Sequence, residues 1–107
     1  MTEKKYILAH DVGTGGNKAV LCDLQGQVLH SEYQSYGISY PRPEWVEQDP
    51  DELWQAVAAT SRRVIQKSGI DPAEILGAGV SAQMWNTLPV DENCRPLSPM
   101  LSWLDLR

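Results

Sequence analysis

Asp11-Val12-Gly13-Thr14-Gly15-Gly16-Asn17-Lys18 joins two short β-rich segments, and no other stretch restricts the fold as much. Upstream, Tyr6-Ile7-Leu8-Ala9-His10 is a nearly continuous apolar run bounded by charge on one side and glycines on the other, which predicts a buried strand ending at Asp11. Downstream, Lys18 to Leu24 is too short and too β-rich at its centre for a helix and reads as a second strand. Gln25-Gly26-Gln27 supplies a turn, and Val28 to Tyr36 reads as a third strand with partial alternation. The opening is therefore an antiparallel meander with no intervening helix. That register excludes two familiar glycine loops. A Walker A loop needs Gly-Lys-Ser/Thr opening a helix, whereas Lys18 follows Asn17 and enters a strand. A dinucleotide fingerprint needs a third glycine where Lys18 stands, and again a helix.

Beyond the meander, Pro41 and Pro43 make Tyr40 to Val46 an extended loop. Asp49-Pro50-Asp51-Glu52 then combines an N-cap, a proline at the first helical position and acids in the first turn, in a capping-box arrangement. The predicted helix places Leu53, Trp54, Val57, Val64 and Ile65 on its core face, with Trp54 as a core residue, and stops at Gly69. Asp71-Pro72-Ala73-Glu74 predicts one further helical turn before a strand at Ile75 to Ala82. Gly77 and Gly79 in that strand suggest a closely approaching neighbour backbone. A short hairpin around Asp91-Glu92-Asn93 leads to Met100 to Arg107. The element order β-β-β-α-β departs from the strict alternation of doubly wound folds.

At 107 residues the chain can build one small domain with a limited core, and its 42% apolar content is that of a globular protein. A net charge of -5 argues against nucleic acid or an anionic membrane surface as partner. Cys22 and Cys94 lack metal-site spacing and disulfide density, so both are read as reduced core thiols. There is neither a signal-peptide pattern at the start nor an apolar run long enough to span a bilayer, and a cytoplasmic protein is expected.

The octapeptide has the parts that phosphoryl transfer needs, which are mainly positioning and charge neutralisation. Glycines let phosphate oxygens approach backbone N–H groups, Thr14 and Asn17 add polar side chains, and Lys18 adds a cation. Asp11, at a strand end, has the chemistry of a Mg²⁺ ligand. Taken alone, the same glycines fit a tight hairpin turn equally well.

Further stretches extend the pattern. They are Tyr40-Pro41-Arg42-Pro43-Glu44-Trp45-Val46-Glu47-Gln48-Asp49-Pro50, Ser81-Ala82-Gln83-Met84 and Trp103-Leu104-Asp105-Leu106-Arg107. The first phosphate loop resembles that of the actin, Hsp70 and hexokinase ATPase superfamily, and the set in this order resembles the FGGY carbohydrate kinases. The resemblance implies an α/β, ribonuclease H-like fold, with residues 1–107 as the N-terminal portion of the first domain. It implies ATP and Mg²⁺ as cofactors, a sugar or polyol as the other small-molecule partner, and a homodimer of the full-length protein.

Carried over position by position, the resemblance assigns Asp11 to Mg²⁺ and the transferring phosphoryl group. Gly13, Thr14, Gly15, Gly16, Asn17 and Lys18 are assigned to ATP. Family members often have arginine at the Lys18 position, and lysine keeps the charge without the bidentate fork. Gln83, Met84, Trp85, Trp103 and Asp105 fall where the family contacts its sugar. Met84 resembles the xylulose branch, which suggests a ketopentose, while Trp85 stands where that branch has histidine. The Trp85 indole either stacks on a sugar face or fills core. His10 is read as a strand-end packing residue, Trp45 as the anchor of its loop, and the Arg107 end as open to fraying. In the family, the general base and most nucleotide-base contacts lie further downstream, so 107 residues alone are expected to be inactive. Two other readings remain: a non-sugar ATPase of the same superfamily, and a non-catalytic binding domain.

Overall fold

The structure is a computed structural model and describes residues 2–107. Four strands form one sheet in the order β3-β2-β1-β5. β1 (Tyr6–Val12), β2 (Gly16–Asp23) and β3 (Val28–Ser35) are the antiparallel meander, and β5 (Ile75–Ala82) lies parallel to β1. A second, two-stranded sheet pairs β4 (Glu47–Gln48) with β6 (Met100–Leu101). The expected strand at residues 75–82, the turn before it as a 3₁₀ turn at Pro72–Glu74, and a Val90–Pro96 bridge closing the short hairpin are all present.

The helix α1 (Pro50–Ser68) has the ends its sequence prescribes. Asp49 accepts the Asp51 N–H, Pro50 occupies the first turn, and Gly69 closes the helix at φ 73° with its N–H on the Ile65 carbonyl. The reciprocal half of the capping box is replaced: the Glu52 carboxylate accepts the Gly37 N–H at 3.1 Å and ties the helix to the loop after β3.

α1 buries Ala56, Thr60 and Val64, an i, i+4 stripe narrower than the face expected from the large residues. Trp54 is 69% exposed, which corrects its placement in the core. Small residues face the sheet because strand backbones approach there. The core beneath α1 is Leu8, Ala19, Leu21 and Val64, with Tyr6, Ile70 and Ile75 packed against it.

Two other expectations fail, each for its own reason. β5 is an edge strand whose outer residues are open, and a Cβ at Gly77 or Gly79 would meet nothing within 4 Å. Their only close backbone among the described residues is the ladder partner β1, and nothing packs over the faces where their side chains would stand. Cys94 is exposed, in a polar turn, and Cys22 is half-buried.

The two-residue period of a strand divides the meander's side chains between faces. His10 and Ala19 are paired across β1 and β2, as are Val12 and Asn17, and these lie on the α1 side with buried Leu8 and Leu21. Asp11 pairs with Lys18 and faces the opposite, open side.

Candidate functional site

The β1–β2 turn is held from one side. The Tyr36 hydroxyl donates to the Gly13 carbonyl, Gln48 Nε2 donates to the Thr14 carbonyl at 2.8 Å, and the Tyr36 N–H donates to the Gly15 carbonyl at 3.2 Å. In a trans peptide the C=O and the following N–H point in opposite directions. Fixing the Gly13 and Thr14 carbonyls therefore turns the Thr14 and Gly15 N–H groups outward. Neither has an acceptor among the described residues. Two adjacent unclaimed backbone donors are groups that an anion can accept from. Burial, with the nearby Tyr33 and Asp11, pushes the Tyr36 phenol up to about 12, so it remains a donor throughout the neutral range.

Asp11 and Lys18 flank this turn on the open face, both exposed, and neither forms an ion pair among the described residues. Thr14 accepts the Trp103 indole N–H on its hydroxyl at 2.9 Å, which leaves its own O–H free to donate outward. The turn and the Trp103 segment are thus directly joined.

Three assignments to the phosphate group need correction. Gly13 spends its N–H on the Gly16 carbonyl at 2.9 Å. Gly16 is buried under the Tyr33 ring, and a Cβ there would come within 2.7 Å of the Gln34 carbonyl, so its glycine serves close packing. Asn17 is fully buried and points toward α1, where Nδ2 donates to Thr60 Oγ1 at 2.7 Å and lies 3.1 Å from His10 Nδ1. It has no route to a phosphate on the other face.

His10 is correspondingly more than a packing residue. Asn17 Nδ2 meets Nδ1, so Nε2 carries the proton and donates to Ser61 Oγ at 2.9 Å, while Ser61 donates to the Val57 carbonyl at 2.7 Å. This is a neutral imidazole, and burial lowers its pKa against the weaker opposing effect of Asn17.

Beside the turn, Thr14, Ala82, Gln83, Met84, Trp85 and Trp103 line an open, mainly apolar cleft of ≈ 470 Å³. Trp85 is 85% exposed and in the left-handed region at φ 63°, with its side chain at the cleft. Trp103 is fixed by its backbone N–H, which donates to Asn86 Oδ1 at 2.8 Å. Asp105 belongs to a different arrangement. Its carboxylate accepts the Val46 N–H at 2.7 Å and pairs with Arg107 at 2.7 Å, which holds it at about 2 and occupies the oxygens assigned to sugar.

Arg107 is equally engaged, with its guanidinium 3.7 Å from the Trp45 ring centroid and 2.9 Å from Glu47. Arg42 approaches the same ring at 4.7 Å. Trp45 is the expected anchor, and the Arg107 end is tied down by it. Tyr36, Gln48 and Asn86 escaped the sequence reading. Only Gln48 carried a signal, as a polar residue inside the Trp-Val-Glu-Gln-Asp-Pro run.

The sheet order and the crossover helix between β3 and β5 define an α/β, ribonuclease H-like fold of the actin and hexokinase ATPase kind. A sequence profile for the FGGY family of carbohydrate kinases, N-terminal domain, matches residues 6–107. The chain is 37% identical over 108 residues to a glycerol kinase from Acaryochloris marina, using 100% of this chain and 22% of that protein. Among solved structures, a xylulose kinase from Lactobacillus acidophilus superposes with a TM-score of 0.86 at 30% identity, over 94% of this chain and 20% of that one. A glycerol kinase from Plasmodium falciparum, solved with ADP, gives 0.84 at 21% identity, over 100% and 22% of the two chains. The chain belongs to the FGGY family of carbohydrate kinases, and it spans about a fifth of the length of these relatives.

Proposed function

We propose that this chain is the opening part of the first domain of a kinase that transfers the terminal phosphoryl group of ATP to a hydroxyl of a sugar or polyol. The observation that carries the reading is the β1–β2 turn, whose Thr14 and Gly15 N–H groups are free and face outward between Asp11 and Lys18. Phosphate oxygens accept from these amides and from the Thr14 hydroxyl, and Lys18 offsets their charge. Asp11 is the Mg²⁺ ligand. Mg²⁺ would be held there by this one carboxylate and otherwise by phosphate oxygens and water. When bound, Mg²⁺ neutralises charge on the transferring group. The general base and the second half of the nucleotide site lie on downstream residues, and the 107-residue chain alone does not turn over.

Substrate class follows from the cleft. Exposed Trp85 and Trp103 supply apolar faces for the C–H side of a polyhydroxy chain. Met84 and the likeness to a xylulose kinase favour a ketopentose such as xylulose. Glycerol is the second reading, on the strength of 37% identity to a glycerol kinase. ADP release by the complete kinase, measured against ketoses, polyols and sugar acids with Asp11→Ala as control, tests both. Release that depends on one acceptor and is lost in Asp11→Ala is the expected result. Acceptor-independent behaviour across the panel contradicts the kinase reading, and full activity in Asp11→Ala contradicts the phosphate site. Among the described residues no helix is long and apolar enough to cross a membrane.

A further inference from the structure

Gln48 is buried to 2% exposure between the phosphate turn and the substrate cleft. Its Nε2 donates to the Thr14 carbonyl at 2.8 Å and the Gly37 carbonyl at 3.3 Å. Both amide hydrogens are then committed, so Oε1 is the accepting end, and it takes Gln83 Nε2 at 2.9 Å. Gln83 is itself pinned, since its backbone N–H donates to the Val12 carbonyl at 2.8 Å. Its remaining acceptor, Oε1, is closed off from solvent and receives no hydrogen bond among the described residues. An unsatisfied buried acceptor is costly, and this one belongs to a residue that lines the cleft.

We propose that Gln83 and Gln48 form a positioning relay that couples occupancy of the cleft by a polyhydroxy substrate to the setting of the phosphate turn, an inference that rests on the kinase reading above. With Nε2 kept on Gln48, a small rotation of the half-buried Gln83 amide opens Oε1 to the cleft, where a substrate hydroxyl supplies the donor it lacks. Gln83 is then held more firmly, Gln48 keeps its orientation, and the Thr14 peptide presents the Gly15 N–H to phosphate. Neither glutamine is a catalytic residue in this scheme. A Gln48 that merely satisfied buried carbonyls would set stability and nucleotide affinity but would not transmit the presence of the acceptor. Linkage requires the coupling to run equally from nucleotide to acceptor.

The test is calorimetric titration of Mg·ADP into the complete kinase, with and without xylulose and, separately, glycerol. For wild type, one of the two acceptors should tighten Mg·ADP binding about tenfold. In Gln83→Met and Gln48→Met that factor should fall to within about twofold of unity, with Mg·ADP affinity in the absence of acceptor weakened by Gln48→Met and little changed by Gln83→Met. Should Gln48→Met fail to fold, the half-buried Gln83→Met decides alone. Retention of the wild-type factor in a folded Gln83→Met overturns the relay, as does a wild-type enzyme that turns over yet binds the two ligands independently. A wild type without acceptor-dependent turnover overturns the kinase reading itself, and the relay with it.

Discussion

Asp11 and Asn17 lie on paired strands and face opposite sides of the sheet, so their substitution has opposite consequences. Asp11→Ala removes an exposed carboxylate, which should leave stability within about 0.5 kcal/mol and lower kcat of the complete kinase about a hundredfold or more. Asn17→Leu strands His10 Nδ1 and unseats Thr60, which should cost about 2–3 kcal/mol in urea unfolding, well beyond any effect of Asp11→Ala. His10 adds a pH dependence whose sign is fixed. Its folded pKa is lowered, so between that value and the ordinary 6.5 the unfolded chain binds the proton that the folded chain refuses. The stability contributed by the neutral imidazole is complete above the unfolded value and is lost as pH falls through 6.5 toward the folded value. Urea midpoints of the folded protein should therefore drop over that window, and His10→Gln should flatten the decline; an unchanged slope would contradict the assigned tautomer and burial.

Among the elements, α1 was the most legible in advance because both its ends are written in local chemistry: Asp49 and Pro50 at the start, Gly69 at the stop. Asp49→Ala should destabilise by about 1 kcal/mol through loss of the Asp51 N–H bond. Trp54→Ala, at an exposed site, should cost less, within about 0.5 kcal/mol, and thermal melts of the two variants distinguish the cap from the supposed core residue. The helix's inward face was not legible, since choosing Ala56 and Thr60 over Leu53 and Trp54 depends on a polar cluster with His10 and Asn17 that only the packed sheet creates. The β1–β2 turn was legible in kind and misread in detail. Its glycines announce the turn, but which amides stay free is decided by Tyr36 and Gln48, donors from distant segments. Strand alternation alone separates Asp11 and Lys18 from Asn17, a division the sequence already contains. The structural use of Asp105 was less accessible, because Val46 reaches its carboxylate across a long separation in the chain.

As a whole the molecule is extended, 52 × 28 × 21 Å with a radius of gyration of 16.1 Å, against about 13 Å for a compact chain of this length. Its buried apolar set is small, while Leu76 and Val80 on β5 and Trp85 at the cleft remain exposed. On the kinase reading proposed above, the uncovered β5 edge is expected to pack against residues further along a complete kinase. The 107-residue chain alone should accordingly bind a hydrophobic dye and melt at lower temperature than the complete protein, whereas an equal melting temperature would show that β5 needs no cover. The site itself is a turn whose inner carbonyls are claimed by the protein and whose outer amides are not. A crystal structure of the complete kinase with a non-hydrolysable ATP analogue and Mn²⁺ in place of Mg²⁺ tests this most directly. It should place phosphate oxygens about 3 Å from the Thr14 and Gly15 nitrogens, with the anomalous peak of the ion beside Asp11. Phosphates seated elsewhere, with those two amides facing solvent, would contradict the account.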